Sequence, residues 1–163
     1  MKKSVFYFTA LLPVFILSGC SSLNSAVGGF LKLDTDVHLT FKVDANINPD
    51  ESNAPSPLIV RLYELKSDKI FNNANFVDMY ERDKDVLGED LLSKQPVKRI
   101  KPGVNREDKF VLNNETRFVG VYAEFLKYKN STFKVLIPVV PHDLIANSAT
   151  VHISDNHLRL VKD

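Results

Sequence analysis

The sequence predicts a mainly β protein, an antiparallel β-sandwich interrupted by one small helical insertion, and three observations carry that expectation. Between Val37 and Ile47 apolar and polar side chains alternate without a break, the period of a strand with one buried and one wet face. Over residues 67–92 that period gives way to capping residues and helically spaced apolar side chains. After Leu92 the strand period returns in short runs parted by turn residues, with no strand–helix alternation of the kind that builds a parallel sheet.

The chain opens on Met1, Lys2 and Lys3, followed by an apolar run over residues 5–17, the charged and apolar parts of an export signal. A spanning helix needs roughly 20 apolar residues, and this run is shorter and broken by Pro13, so removal rather than spanning is expected. It ends in Leu17-Ser18-Gly19-Cys20, which looks like a lipobox. Small residues before the scissile bond admit a peptidase, and a thiolate is the nucleophile that can take up diacylglycerol. Cys20 is the only cysteine in 163 residues, so no internal disulfide can use it. Ordinary signal cleavage near Gly19, leaving a free thiol, is the plainer alternative. One acyl chain holds a protein with a partition constant of only about 10⁴ M⁻¹, whereas diacylglycerol plus an N-acyl group on Cys20 makes a stable tether. Ser21 follows the cysteine where an Asp would favour retention in the inner membrane, so outer-membrane sorting is expected. Residues 1–19 are therefore read as signal peptide and 20–35 as a lipid-anchored linker that reaches roughly 50 Å when extended. Residues 36–163 form the domain.

The first strand is expected over residues 36–47 and a second, more continuously apolar and hence central, over 58–65. Between them lie Asn48, Pro49, Asp50, Glu51, Ser52, Asn53, Ala54, Pro55, Ser56 and Pro57. Three prolines fix φ and remove ladder donors, which makes this a stiff projecting loop and not a tight hairpin turn. Ser67 and Asp68 can cap a short helix over 69–73, Asn75 a second over 76–82, and residues 85–92 a further turn or two. An edge strand is expected over 96–100, then a turn at Pro102-Gly103 and strands near 109–112, 117–125 and 133–139. A connection over 142–148 and strands at 149–153 and 158–161, turning at Ser154-Asp155-Asn156, complete the sandwich.

Removing the signal takes two lysines from 21 basic residues against 20 acidic ones, a formal charge of −1. No basic stripe for nucleic acid results. Phosphate loops, dinucleotide fingerprints, nucleophile elbows and zinc-protease motifs are all missing from the sequence, and no enzyme is read here. His152, His157 and the pair His142 and Asp143 form the one conceivable zinc set, but their spacing follows no ligand pattern, and wet histidines are the stronger reading. Asp83, Asp85, Glu89 and Asp90 lack the glycine and ligand spacing of a calcium loop, and read as a solvated helix face. Neither a metal, a cofactor nor a small-molecule substrate is expected.

A family resemblance rests on residues spread from about Asp36 to Val139. They are Asn48-Pro49-Asp50, Pro55-Ser56-Pro57-Leu58-Ile59-Val60-Arg61-Leu62-Tyr63-Glu64-Leu65-Lys66, Phe71, Ala74-Asn75-Phe76, Leu87-Gly88-Glu89-Asp90-Leu91-Leu92, Pro102-Gly103, and Arg117-Phe118-Val119-Gly120-Val121-Tyr122-Ala123-Glu124-Phe125, together with the lipobox at Cys20 that precedes them. In order and spacing the chain resembles the outer-membrane lipoproteins of the type VI secretion system, the TssJ family. It departs from the family at two places. Ser52, Asn53 and Ala54 stand where the proline loop usually holds a glycine, and Phe133-Lys134 where Trp-Arg is usual. The resemblance implies a transthyretin-like sandwich anchored in the outer membrane that binds the periplasmic C-terminal domain of the inner-membrane protein TssM, through the loop that here is 48–57. A sandwich lipoprotein that binds a small ligand or peptidoglycan, or that pilots another secretion machine, is the competing reading. The first of these would need a concave polar pocket.

Replacing Cys20 by serine is expected to give an exported protein that leaves the membrane fraction and takes up no labelled palmitate. A variant that still sediments with membranes and carries label would contradict the lipid assignment.

Overall fold

The computed structural model describes residues 35–96, 99–140 and 148–161. The signal peptide, Cys20, nearly all of the linker, His142 and Asp143 lie outside the described residues. Eight strands alternate with two helices in the order β1 Thr35–Val43, β2 Val60–Leu65, α1 Lys69–Asn73, α2 Phe76–Leu87, β3 Leu91–Pro96, β4 Arg106–Leu112, β5 Phe118–Ala123, β6 Lys134–Pro138, β7 Ser148–Ser154 and β8 His157–Val161. They form two four-stranded sheets, ordered β4-β1-β7-β8 and β3-β2-β5-β6. The sandwich with a helical insertion is as the sequence predicts, with one difference. β1 and β7 pair in parallel, Leu39 opposite Ala149 and Val43 opposite Ile153. The rest of the chain separates these two strands in sequence, so no hairpin dictates their relative direction, whereas all the other strand pairs are antiparallel.

Alternation places Val37, Leu39, Phe41 and Val43 of β1 and Val151 and Ile153 of β7 on one side of the inter-sheet core. Val60, Leu62, Val119, Val121, Ala123 and Ile137 close it from the other sheet. The reverse face of β2 and β5 is also buried. Tyr63, Leu65 and Tyr122 pack with Phe71, Ala74, Met79 and Leu87 of the helical insertion, which is why 58–65 reads as continuously apolar. Phe71 lies directly over Gly120, where a Cβ would meet its ring carbons at 2.9 Å. The glycine is the space the ring occupies. Lys134 supports the same helix by donating from Nζ to the carbonyls of Phe71 and Asn72, both at 2.7 Å, and of Ala74. A cation on the last carbonyls of a helix is favourable, and burial pushes the Lys134 pKa down.

A charge cluster fixes α2. Arg61 on β2 meets Glu124 at 2.5 Å and Asp83 at 3.3 Å and donates to the carbonyls of Met79 and Tyr80. Asp83 also accepts from Tyr63 Oη at 2.7 Å and from Lys94 Nζ. It is 8% exposed, which corrects its reading as part of a solvated helix face. The helix is kinked to bring it in, since Arg82 has φ −142° and ψ 41°. Burial alone would raise the Asp83 pKa, but the hydrogen bonds from Lys94 and Tyr63 outweigh it and hold the carboxyl below its ordinary 3.8. Burial likewise pushes the Tyr63 phenol well above its usual value.

Three expected boundaries move. β1 stops at Val43 instead of running to Ile47, because its ladder to β4 ends at Phe41 opposite Arg106. Beyond it the Pro102-Gly103 turn closes on the strand end, Gly103 N to Asp44 O at 2.9 Å. Leu91 and Leu92 are strand and not helix, since Gly88 at φ 50° ends α2 and Lys66 N bonds Asp90 O. The edge strand is therefore β3, ending at Pro96 where a strand was expected to begin, and Ile100 makes only an isolated bridge to Leu58. β4 begins earlier than expected. Its inward side carries Arg106 and Asp108, paired with each other, so charge stands where an apolar period would have marked a strand. Inward charges also blunt this edge against further pairing.

Asp83→Asn is expected to destabilise the fold by roughly 3 kcal/mol at pH 7, the cost of removing one partner of a largely buried ion pair. The native carboxyl has the depressed pKa, so its contribution is full above about pH 4 and is lost as pH falls through the folded value. The gap between the urea midpoints of the two proteins should be narrower at pH 3 than at pH 7, and a gap of equal size at both would contradict the assignment.

Candidate functional site

Neither face of the β3-β2-β5-β6 sheet is free, and the inter-sheet space is filled by side chains. The loop chemistry collects at one end of the sandwich, where β1, β5 and β7 finish and β2, β6 and β8 begin. Three segments meet there: residues 44–59, residues 124–133 and the turn at 154–156. Asn48 joins them. Its backbone N bonds Asp155 O at 2.8 Å, its Oδ1 accepts from Leu126 N at 2.8 Å, and its Nδ2 donates to Pro57 O at 3.1 Å. Asn48 is 2% exposed and has φ 49°, so it is a buried fastener and not a contact residue.

Beyond Asn48 the loop is folded on itself. Asp50 Oδ1 accepts from the backbone N of Ser52 and of Ala54, both at 2.9 Å, while Asp50 N bonds Ala54 O and Asn53 N bonds Asp50 O. These bonds curl the tip, and Ser56 N closes the base on Ile47 O at 3.2 Å. Asn53 takes φ 60°, a left-handed conformation that asparagine tolerates better than most non-glycine residues. Asn53 thus supplies the positive φ that the turn requires. Its Oδ1 also accepts from Lys127 Nζ at 2.9 Å.

The ten residues read from sequence as the binding loop therefore divide by role. Glu51, Ser52, Asn53, Ala54, Pro55 and Pro57 are exposed, Pro49, Asp50 and Ser56 half-buried, and Asn48 buried. The stiff projection expected from three prolines is present, held by Asp50 and Asn48 as well as by the prolines. Sequence reasoning missed the neighbouring segment. Leu126 is 59% exposed on a backbone fixed by Asn48, and Tyr128 stacks on Phe76 of α2 with ring centroids 4.3 Å apart. Its signal was the lone leucine and tyrosine among lysines in Leu126-Lys127-Tyr128-Lys129, directly after a strand end.

The residues considered as metal ligands are dispersed. His152 bonds Asp44 at 2.9 Å and Arg159 at 3.2 Å, whereas His157 Nδ1 faces Thr132. Among the described residues no group of three or more His, Cys, Asp or Glu side chains is placed to hold a metal ion.

Over residues 35–156 the chain matches the model of the family described as Type VI secretion lipoprotein, VasD, EvfM, TssJ, VC_A0113. No curated protein sequence matches it. Among solved structures it is similar to the type VI lipoprotein TssJ1 from Pseudomonas aeruginosa, at 24% identity and TM-score 0.69, covering 78% of this chain and 95% of that one. Serratia marcescens Lip, a membrane-bound component of the type VI secretion system, is similar at 24% identity and TM-score 0.70, covering 80% of this chain and 99% of that one. A chain in a structure described as the type VI TssM C-terminal domain from EAEC matches at 24% identity and TM-score 0.65, covering 77% of this chain and 99% of that one.

Asn48→Ala is expected to cost about 2 kcal/mol of stability, from two lost side-chain hydrogen bonds and a strained left-handed backbone. Asn48→Gly should recover the backbone part alone. Equal thermal midpoints for the alanine and glycine variants would show that the left-handed conformation carries no weight.

Proposed function

We propose, from the premise that this chain belongs to the Type VI secretion lipoprotein family, that it is the outer-membrane lipoprotein of a type VI membrane complex. In this reading lipid on Cys20 holds it to the inner leaflet, and the 48–57 loop binds the periplasmic C-terminal domain of a TssM-like inner-membrane protein. The observation that carries the reading is the loop itself: an exposed tip already set in one conformation by Asp50, Asn53 and Asn48, at the end of the sandwich that neither the helices nor the second sheet covers. Binding residues concentrate on loops held by a rigid scaffold, and a loop ordered before contact loses little entropy on docking. The occurrence of a similarly folded chain in a structure of a TssM C-terminal domain supports that choice of partner.

The bonds offered to the partner differ from those the sequence suggests. Asp50 Oδ1 is spent on Ser52 and Ala54 inside the loop, so the contact surface is Glu51, the Ser52 hydroxyl, Ala54 and the two exposed prolines. Such a surface is a mixed polar and apolar patch, with one carboxylate suited to a basic group on the partner.

Replacing residues 50–54 with a Gly-Ser linker is expected to leave the fold nearly intact and to weaken binding of the TssM domain by at least ~1.4 kcal/mol, about tenfold. Titration calorimetry checks this, and a folded loop variant that binds as tightly as the parent would remove the loop as the dominant contact.

A further inference from the structure

Beside the loop lies a trough of about 400 Å³, lined mainly by carbon and formed by Leu126, Lys127, Tyr128, Lys129, Asn130 and Asn156. Its lining holds two lysines and no carboxylate. Lys127 is engaged by Asn53, while Lys129 has no ion-pair or hydrogen-bond partner among the described residues. Asn156 keeps its Oδ1 buried and without a hydrogen-bond partner, so that acceptor is turned away from the trough and takes no part in its chemistry. Glu51 and Asp155 are exposed at the same end, as are Arg99 and Lys101 in the connection from β3 to β4, so the surface as a whole is mixed, while the lining of the trough carries charge of one sign only.

The trough is also rigid. Leu126 N is held by Asn48, Tyr128 is stacked on Phe76, and Ser131 bonds the Tyr128 carbonyl through both N and Oγ. An exposed leucine on a fixed backbone, beside an unpaired cation, is the pattern of a binding anchor and not of a loose surface residue. It is continuous with the loop through Asn48 to Leu126 and Asn53 to Lys127.

We propose that this trough is the second half of the partner-binding surface and that it receives an acidic segment of the partner, an apolar side chain packing on Leu126 and Tyr128 with a neighbouring carboxylate on Lys129. The inference rests on the function proposed above and extends it, since it places a second contact outside the loop and gives its chemistry. A dry leucine contact supplies affinity. The lysine selects for acidic neighbours and makes association sensitive to salt.

The test uses the mature lipidated protein in detergent, titrated with the purified periplasmic C-terminal domain of the TssM-like partner. Leu126→Ser and Lys129→Glu should each weaken binding about tenfold with unchanged thermal midpoints, Lys129→Arg should bind as the parent does, and Lys129→Glu should flatten the loss of affinity between low and high salt. Parent-like binding by Leu126→Ser and Lys129→Glu, with the loop variant still impaired, would overturn the trough and leave the loop reading standing. A silent Lys129→Glu beside a weakened Leu126→Ser would overturn the acidic occupant. A parent protein that fails to bind the domain would overturn both proposals together.

Discussion

A guanidinium on a central strand must be neutralised, and much of this molecule is arranged around that requirement. Arg61 points from β2 towards the helical insertion with only 19% of its side chain exposed. An unpaired charge there would cost several kcal/mol. Glu124 supplies one partner from the end of β5, and Asp83 supplies the other from a helix that has to kink at Arg82 to deliver it. Once α2 is seated, Phe76 at its start stacks on Tyr128 and meets Tyr122 at a tilt and Phe133 edge to face. Tyr128 in turn positions the segment that carries Leu126. A pairing on a central strand, near the end where β2 begins and β5 finishes, thus reaches the neighbouring loop segment through contiguous packing.

The same arrangement decides where binding is possible. Helices on one side and the second sheet on the other leave β2 and β5 no free face. The wet face of the other sheet is studded with short-range pairs, such as Lys109 with Asp36 and His152 with Asp44, and β4 carries an inward ion pair along its edge. What remains is the loop end. There the two sheets are stitched by Leu158 N to Thr132 O and Thr132 N to Asn156 O, which keeps the three segments in fixed relation.

Legibility from sequence follows the physics of each feature. Strands that alternate, β1 as far as Val43 and β5 with Val119, Val121, Ala123 and Phe125 inward, were plain because one burial pattern repeats. Both helices start directly after Asp68 and Asn75, as those residues suggest; Asn75 accepts from Asp78 N as a cap should, whereas Asp68 makes no side-chain cap bond and Ser67 Oγ accepts from Lys69 N instead. Features set by distant partners were hidden. Arg106 and Asp108 disguise the start of β4, Asp83 looks like surface until Arg61 and Lys94 are placed beside it, and the parallel pairing of β1 with β7 has no local signal. At the loop end the proline segment is visible from composition, whereas Leu126 is not, since one leucine has no period.

The missing glycine of the proline loop can be weighed with numbers. Fixing a residue's backbone costs about 1–2 kcal/mol, so ordering the five residues 50–54 only on binding would consume roughly 5–10 kcal/mol, as much as the whole free energy of a micromolar complex, about 8.2 kcal/mol. A loop that replaced glycine by a residue unable to take positive φ would meet that cost or add strain to it. Here Asn53 takes φ 60° and Asn48 φ 49°, and the Asp50 carboxylate holds the residues between them through two backbone N–H groups. The ordering is completed during folding, where the core offsets it. Asparagine at these two positive-φ positions therefore leaves the loop ordered before any contact, so what distinguishes it is the chemistry of its exposed side chains and not its flexibility.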